Sequence, residues 1–293
     1  MSTRPLPTRR QFLAASAAAA GAALGLDAAR ALAADDARFG SFKVGAQSYS
    51  FRDFNLEQAL KQYQTLGLKY AEFFNRHVPL ESTPAQLAAV RKLCQEYGVQ
   101  PAAYGVQTFT KNHDANRKNF ELAKALGITS LSADPDPDSF DSLDKLCDEY
   151  KVAIAIHPHG PQGPRGKETL HRWYSADVIM AAVKDHNPLI GTCIDTGHIL
   201  RCVELGKDLN PVDQIRTMGK RNFGLHLKDY DPKKRAEVIV GHGALDVPGV
   251  VKALKEVGFQ GCMSLEYELN PKNPTQDMAE GLKALQEAVK KVG

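Results

Sequence analysis

The chain has 293 residues, of which 43% are hydrophobic and 24% are charged, and its formal net charge is +3. This composition is typical of a globular protein with a large core, built as one large α/β barrel or as two ordinary domains. The sequence shows no basic stripe that would bind a phosphate backbone, so a nucleic-acid partner is not expected.

The first 33 residues form a separate segment. In "TRRQFLAASAAAAGAALGL", Arg9 and Arg10 precede a run of mostly small apolar residues, and "ALA" at 31–33 fits a small-x-small cleavage site. The pattern predicts a twin-arginine signal peptide over residues 1–33, a periplasmic or extracytoplasmic location, and no membrane contact after signal removal. An N-terminal membrane helix is the alternative. Because this segment carries a net charge of +3, the remaining chain is close to neutral.

The cysteines do not indicate a disulfide framework, because their number is odd and no CxxC pair occurs. Most of them lie in apolar strand or helix patterns, which is typical of small core residues. They are Cys94, Cys147, Cys193, Cys202 and Cys262.

The rest of the chain alternates between strand and helix patterns. In "NLEQALKQYQTLG", for example, the leucines recur at helical spacing and Gly67 is a natural stop. Strands are predicted at about 42–48, 70–74, 101–107, 129–132, 152–156, 190–194, 222–227 and 261–266. Eight such repeats predict a single (β/α)8 TIM barrel over residues 34–293. A doubly wound open sheet is the competing fold, and it is disfavoured because no GxGxxG motif follows the first strand.

Polar side chains stand at the ends of four successive predicted strands, where a TIM barrel carries its chemistry. A lone histidine at a strand end is more often structural, but four such groups around one axis would be unfavourable without a ligand. Two histidines with two carboxylates suit one divalent ion such as Mn²⁺, Zn²⁺, Co²⁺ or Fe²⁺, and Mg²⁺ less well. The predicted metal ligands are His157, Asp195, His226 and Glu266.

Several short motifs carry a family resemblance. "IAIHPHG", "CIDTGHI", "GLHLKDYD", "GHGALDVPGVVKAL" and "SLEYE" resemble the sugar phosphate isomerase/epimerase superfamily, the xylose isomerase-like barrels, from about residue 42 to the C-terminus. The resemblance implies one divalent metal held by Asp195, His226 and Glu266. The fourth ligand is commonly a glutamate in the epimerases of this family, and that position falls on His157 here.

This departure bears on the implied reaction, in which a metal-stabilised enediolate forms from a keto sugar. A metal-bound histidine cannot act as a second base, so Glu266 is the predicted base, and the opposite acid is predicted among His159, His198, Lys228 and Glu268. Epimerisation, isomerisation and elimination all stay open. The export signal favours a 3-keto-glycoside over a phosphorylated cytoplasmic sugar, and "DPKKRAE" is predicted to be a solvated loop and not a phosphate site.

Other side chains are predicted to contact the small-molecule sugar, although each has a structural alternative. They are Glu72, Gln107, Trp173, His242 and Glu268. Two other functions are alternatives. A DNA-cleaving apurinic endonuclease on the same barrel is disfavoured by the near-neutral charge and the export signal. A non-catalytic extracytoplasmic sugar-binding protein stays open, as does formation of a homo-oligomer.

Overall fold

The computed structural model describes residues 36–164 and 166–293, and the predicted signal peptide over residues 1–33 therefore lies outside the described residues. Within them the chain forms a closed parallel barrel of eight strands, in the order β1-β10-β7-β6-β5-β4-β3-β2. This confirms the predicted TIM barrel over the open sheet. The barrel strands are β1 Lys43–Gln47, β2 Tyr70–Phe73, β3 Gln100–Phe109, β4 Ser130–Pro135, β5 Ala153–Ile156, β6 Ile190–Asp195, β7 Asn222–Leu227 and β10 Cys262–Leu265.

Helices follow the strands and begin at capping residues that the sequence supplies. The side chains of Asn55 and Gln58 form a capping box at the start of α1, and Gly67 ends that helix with a φ of 65°. None of the described helices combines the length and the apolar character needed to cross a membrane. The helices are α1 Leu56–Leu66, α2 Pro84–Glu96, α3 His113–Leu126, α4 Phe140–Tyr150, α5 Ala176–Val183, α6 Thr196–Arg201, α7 Pro211–Met218, α8 Val247–Glu256 and α9 Thr275–Val292.

A β-hairpin interrupts the barrel pattern after β7. Strands β8 Asp229–Asp231 and β9 Ala236–Val238 pair antiparallel at the segment predicted to be a solvated loop. The Asp231 carboxylate accepts hydrogen bonds from the backbone N–H groups of Lys233 (2.9 Å) and Lys234 (3.2 Å), which closes the turn. The lysines are exposed as predicted, but the flanking residues form a structured wall beside the barrel mouth.

The apolar core is contributed by the strands and by the inner faces of the surrounding helices. The barrel also contains buried polar groups. The carboxylate of Glu72 on β2 accepts hydrogen bonds from the hydroxyls of Ser132 (2.6 Å) and Ser264 (2.8 Å). Because Glu72 is only 1% exposed, these bonds provide the polar partners that a buried carboxylate requires.

Candidate metal centre

The four predicted metal ligands lie on adjacent strands. Asp195 and His226 are register partners at the ends of β6 and β7. His157 and Glu266 follow β5 and β10 directly, and their backbone N–H groups donate to Ala133 (2.8 Å) and Leu227 (3.2 Å). The hydrogen bonds of the barrel thus extend past the strand ends and hold these two side chains at its mouth.

The ligand atoms converge on one buried point. His226 Nδ1 lies 2.9 Å from His157 Nε2 and 3.0 Å from Glu266 Oε2. Asp195 Oδ2 is 3.3 Å from His157 Nε2 and 3.8 Å from His226 Nδ1, and it accepts no hydrogen bond from the described residues. Two ring nitrogens and two carboxylate oxygens, all within 4.8 Å of one another, are a donor set that fits a divalent cation.

The sequence D-T-G-H explains how Asp195 is presented. Its Oδ1 caps α6 by accepting the backbone N–H of His198 at 2.7 Å, which leaves Oδ2 facing the cluster. The Thr196 hydroxyl accepts the Lys228 N–H (2.9 Å) and donates to the Lys228 carbonyl (2.6 Å). A Cβ on Gly197 would lie 2.7 Å from Lys228 Cβ, so glycine permits this close approach.

Glu72 supports His226 from behind. Its Oε1 lies 3.0 Å from His226 Nε2, the ring nitrogen opposite the cluster, although the angle falls outside hydrogen-bond geometry. A carboxylate against the second ring nitrogen is the usual support of a metal-ligating histidine. The structure therefore places Glu72 behind His226, a predicted ligand, and does not support the predicted sugar contact.

Lys228 helps to keep the Glu266 carboxylate ionised. Burial alone would raise the pKa of Glu266, but Lys228, whose Nζ lies 3.5 Å away, and His226 lower it well below its usual range. Burial opposes the charge of Lys228 as well, yet Glu266 and other carboxylates raise its pKa. The result is a buried carboxylate that stays ionised beside a cation, which suits both a ligand and a base.

His159 and His198 extend the site away from the cluster. The ring centroid of His159 lies 4.7 Å from that of His157 and 4.9 Å from that of His198. Burial, with His157 and His171 nearby, lowers the pKa of His159 to about 3, and burial also lowers the pKa of His198. Both rings are therefore neutral near pH 7 and suit hydrogen bonding better than the predicted acid role. Together with His157 they form a second group that could hold a cation.

Two cavities open beside the cluster. The aromatic cavity, of about 450 Å³, is lined by Gln47, Tyr49, Phe74, Asn75, Gly105, Val106, Gln107, His157, His159, His198, Glu266 and Glu268. The hairpin cavity, of about 570 Å³, is lined by Glu168, Gly197, His198, Arg201, Glu204, Lys228, Asp229, Tyr230, Lys233, Lys234, Arg235, Ala236, Glu237 and Glu268. Of the residues predicted to contact substrate, Gln107 and Glu268 lie in these cavities.

Two other predicted sugar contacts lie elsewhere. Trp173 is buried, donates its indole N–H to the Pro135 carbonyl at 3.0 Å and packs edge-to-face on Phe140. It anchors the loop after β5, which was the structural alternative. The His242 ring is half exposed, and its Nε2 lies 3.0 Å from a Glu280 carboxylate oxygen on α9. Neither side chain lines a cavity at the mouth, so the geometry does not support their predicted contact with sugar.

Sequence reasoning missed Glu237 on β9. Its Oε1 accepts the backbone N–H of Glu268 at 2.8 Å, and burial raises its pKa to about 7 although Lys228 opposes the shift. A carboxyl group that is partly protonated at neutral pH suits acid–base work. The available signal was a turn sequence, "DPKK", between two short segments able to pair as a hairpin.

Other proteins resemble this chain in sequence or in fold. The chain is 22% identical to an inosose dehydratase of Clostridium botulinum, over 79% of this chain and 89% of that protein. A crystal structure of an uncharacterised protein from Parabacteroides distasonis is 28% identical, with a TM-score of 0.64 over 85% of this chain and 99% of that one. The 3-keto-D-glucoside 4-epimerase of E. coli superposes with a TM-score of 0.65 at 14% identity, over 84% of this chain and 99% of that one.

A family model extends the likeness over most of the barrel. The model described as the xylose isomerase-like TIM barrel matches residues 60–288, which include all four ligands of the cluster and the hairpin. The match agrees with the closed eight-stranded barrel of the described residues and with the motifs "CIDTGHI" and "GLHLKDYD". The chain belongs to the xylose isomerase-like TIM barrel family.

Proposed function

We propose that the protein is a divalent-metal-dependent enzyme that isomerises, epimerises or eliminates from a keto sugar or a 3-keto-glycoside. The observation that carries the proposal is the cluster of His157, Asp195, His226 and Glu266, in which a fully buried carboxylate oxygen of Asp195 has no hydrogen-bond donor among the described residues. Relatives named as a dehydratase and as a keto-glucoside epimerase support the same substrate class.

The four cluster residues would hold the cation, which when bound supplies Lewis-acid polarisation of a substrate carbonyl. Glu266 would then accept the proton from the neighbouring carbon. It lines the aromatic cavity, and Lys228 helps to keep its carboxylate ionised. His157 cannot act as a second base while its Nε2 faces the cluster.

Two outcomes follow proton removal. In an isomerase or epimerase, an acid returns a proton to carbon. In a lyase, the C–O bond at the β-carbon breaks and the departing oxygen takes a proton. Lys228 and Glu237 line the cavity on the side of Glu268 and could supply that proton. Since a histidine replaces the second carboxylate of the epimerases, we favour elimination, which agrees with the dehydratase relative.

The test begins with elemental analysis of protein purified without chelator. Metal-free and reloaded protein are then incubated in D₂O with keto sugars and 3-keto-glycosides and followed by NMR. We expect one equivalent of divalent metal and metal-dependent exchange of an α-proton, with a released aglycone or water for elimination. Absence of both metal and exchange would contradict the proposal.

A non-catalytic sugar-binding protein on the same barrel is the second candidate. The observation that favours it is the pair of open cavities beside the cluster, which could hold a sugar without any reaction. Tight metal and sugar binding without any solvent exchange would favour it. We also propose export by the twin-arginine route, on the sequence of residues 1–33 alone.

A further inference from the structure

The two cavities meet at the reacting end of the site. His198 and Glu268 line both of them, so the aromatic cavity and the hairpin cavity adjoin across these two side chains. Each volume lies within the range of a small-molecule pocket. A free monosaccharide would fill only one of them.

The position of the cluster indicates which cavity receives the keto ring. His157 and Glu266 line the aromatic cavity and do not line the hairpin cavity. The rings of Tyr49 and Phe74, which pack edge-to-face with centroids 5.4 Å apart, offer this cavity an apolar wall suited to the C–H face of a sugar. The reacting ring therefore belongs there, and the hairpin cavity stays available for another group.

The charges of the hairpin cavity are close to balanced, and among the acidic side chains burial raises the pKa of Glu237 to about 7. Arg235 pairs with Glu204 at 2.6 Å, and Lys228 pairs with Glu268. Five cationic side chains face five acidic ones among its described lining residues. The cationic set is Arg201, Lys228, Lys233, Lys234 and Arg235, and the acidic set is Glu168, Glu204, Asp229, Glu237 and Glu268.

This balance argues against an anionic ligand. A phosphate group needs an excess of positive charge or a set of free backbone donors. Interspersed carboxylates, cations and the Tyr230 hydroxyl instead provide both acceptors and donors, which is what vicinal hydroxyl groups require. The lining therefore suits a neutral ligand rich in hydroxyl groups.

We propose that the hairpin cavity binds a second, neutral polyhydroxylated group that is joined through a glycosidic bond to the keto sugar in the aromatic cavity. The inference rests on the proposed function and narrows it, because the substrate is then a keto-glycoside of two sugar units and neither a free monosaccharide nor a sugar phosphate. The linking bond lies beside His198 and Glu268, the two residues that the cavities share.

The test fills the hairpin cavity without touching the cluster. Ala236 is exposed on β9 and lines this cavity, so Ala236→Trp should block it. Ala88 is exposed on α2 and lines neither cavity, so Ala88→Trp is the matched control. Calorimetry on metal-loaded protein compares a methyl 3-keto-glucoside with 3-keto-disaccharides of α and β linkage.

We expect at least one disaccharide to bind the wild type and the Ala88→Trp variant about tenfold more tightly than the methyl glycoside, and Ala236→Trp to abolish this preference. Equal binding of the probes, binding of none of them, or a preference that survives in Ala236→Trp would overturn the inference. Deuterium exchange is measured separately. A binding preference without exchange would contradict the proposed activity and support the second subsite. Exchange without a binding preference would support the activity and contradict the second subsite.

Discussion

Asp195 ends strand β6, and Asp229 lies two residues beyond the end of the neighbouring strand β7; both are fully buried, yet their surroundings differ. The Asp229 carboxylate accepts four backbone N–H groups, two on each oxygen, at 2.8–2.9 Å. The donors are Tyr230, Gly241, Gly243 and Leu245. Asp195 receives only the His198 N–H, on Oδ1, and its Oδ2 makes no hydrogen bond within the described part of the chain, although His157 Nε2 lies 3.3 Å away.

The contrast distinguishes a carboxylate that stabilises the fold from one that is available for a ligand. Asp229 joins the motif "HLKD" to the later "GHGALD" and shapes the loop between them, and a Cβ on Gly243 would lie 2.3 Å from Asp229 Oδ1. A buried carboxylate with all its bonds made stabilises the fold. One with an unpartnered oxygen is unfavourable unless a cation completes it. Under the proposed function, Asp195 is therefore the ligand, whereas Asp229 supports the fold.

Asp195→Asn tests the ligand half of this comparison. The variant keeps the cap on α6 through its amide oxygen and removes the negative charge. We expect divalent-cation binding to weaken by more than about 100-fold and α-proton exchange to fall by about 1,000-fold, because the cluster loses an anionic ligand. The free energy of unfolding of the metal-free protein should fall by less than in the Asp229→Asn variant, because Asp195 accepts a single backbone hydrogen bond and the amide oxygen can keep it.

Metal titration, exchange NMR and urea unfolding check these three values. Asp185→Asn is the control, since this exposed carboxylate belongs to none of the described groups that could hold a cation and should leave metal content unchanged. Equal metal content in wild type and Asp195→Asn would defeat the assignment.

Asp229→Asn tests the other half of the comparison. An amide NH₂ would face two N–H donors, so two hydrogen bonds to a charged group are lost. We expect the free energy of unfolding to fall by about 3 kcal/mol, measured by urea unfolding. The folded fraction should still bind one equivalent of metal. Loss of metal without loss of stability would reverse the roles of the two aspartates.

The fold and the cluster could be predicted because their signals are periodic. Apolar strand patterns ending in His157, Asp195, His226 and Glu266 place these residues at one barrel mouth whatever the details of the loops. The observed strands begin and end within three residues of the predicted ones. A closed parallel barrel leaves little freedom for side chains that stand directly at strand ends.

Loop residues could not be placed in this way, since the sequence does not show which way a loop side chain points. The Asp229 bonds and the φ of 94° at Gly241 form the turn that carries His242 to Glu280 and away from the mouth. Trp173 points into the core because Pro135 offers its indole a carbonyl. The lysines of the hairpin turn suggested a solvated loop and concealed Glu237, which lies just beyond them.

Glu72→Gln tests a carboxylate that combines features of both aspartates. Like Asp229, Glu72 accepts hydrogen bonds from protein donors, and like Asp195, it contacts a residue of the candidate metal centre. We expect cation affinity to fall by about 10- to 100-fold, the range for a lost carboxylate partner of a metal-bound histidine. The absorption spectrum of the Co²⁺-loaded protein should shift as the His226 ring reorients. Thr196→Ser, which keeps the hydroxyl that binds Lys228, serves as the control. An unchanged spectrum and affinity would make Glu72 purely structural.

A smaller change is expected at Glu237, which lines the hairpin cavity and whose proposed role depends on a proton and not on a metal. Its neighbours are Lys228, which favours the charged form, and Glu266 and Glu268, which disfavour it; burial sets the net direction and brings the pKa to about 7. Below pH 7 the carboxyl is protonated and can act as an acid, and above it the acid form declines about tenfold per pH unit. We therefore expect kcat of the wild type to fall on the alkaline side of pH 7.

Glu237→Gln should lower kcat at pH 6 and flatten that alkaline limb, while KM and metal content stay close to wild type. Its amide oxygen can still accept the Glu268 N–H, so the hairpin should keep its place. An alkaline limb that persists unchanged in Glu237→Gln would assign the proton to another group. That group would not be Lys228, because, although burial opposes its charge, nearby carboxylates raise its pKa above the usual lysine value and it stays protonated through this pH range.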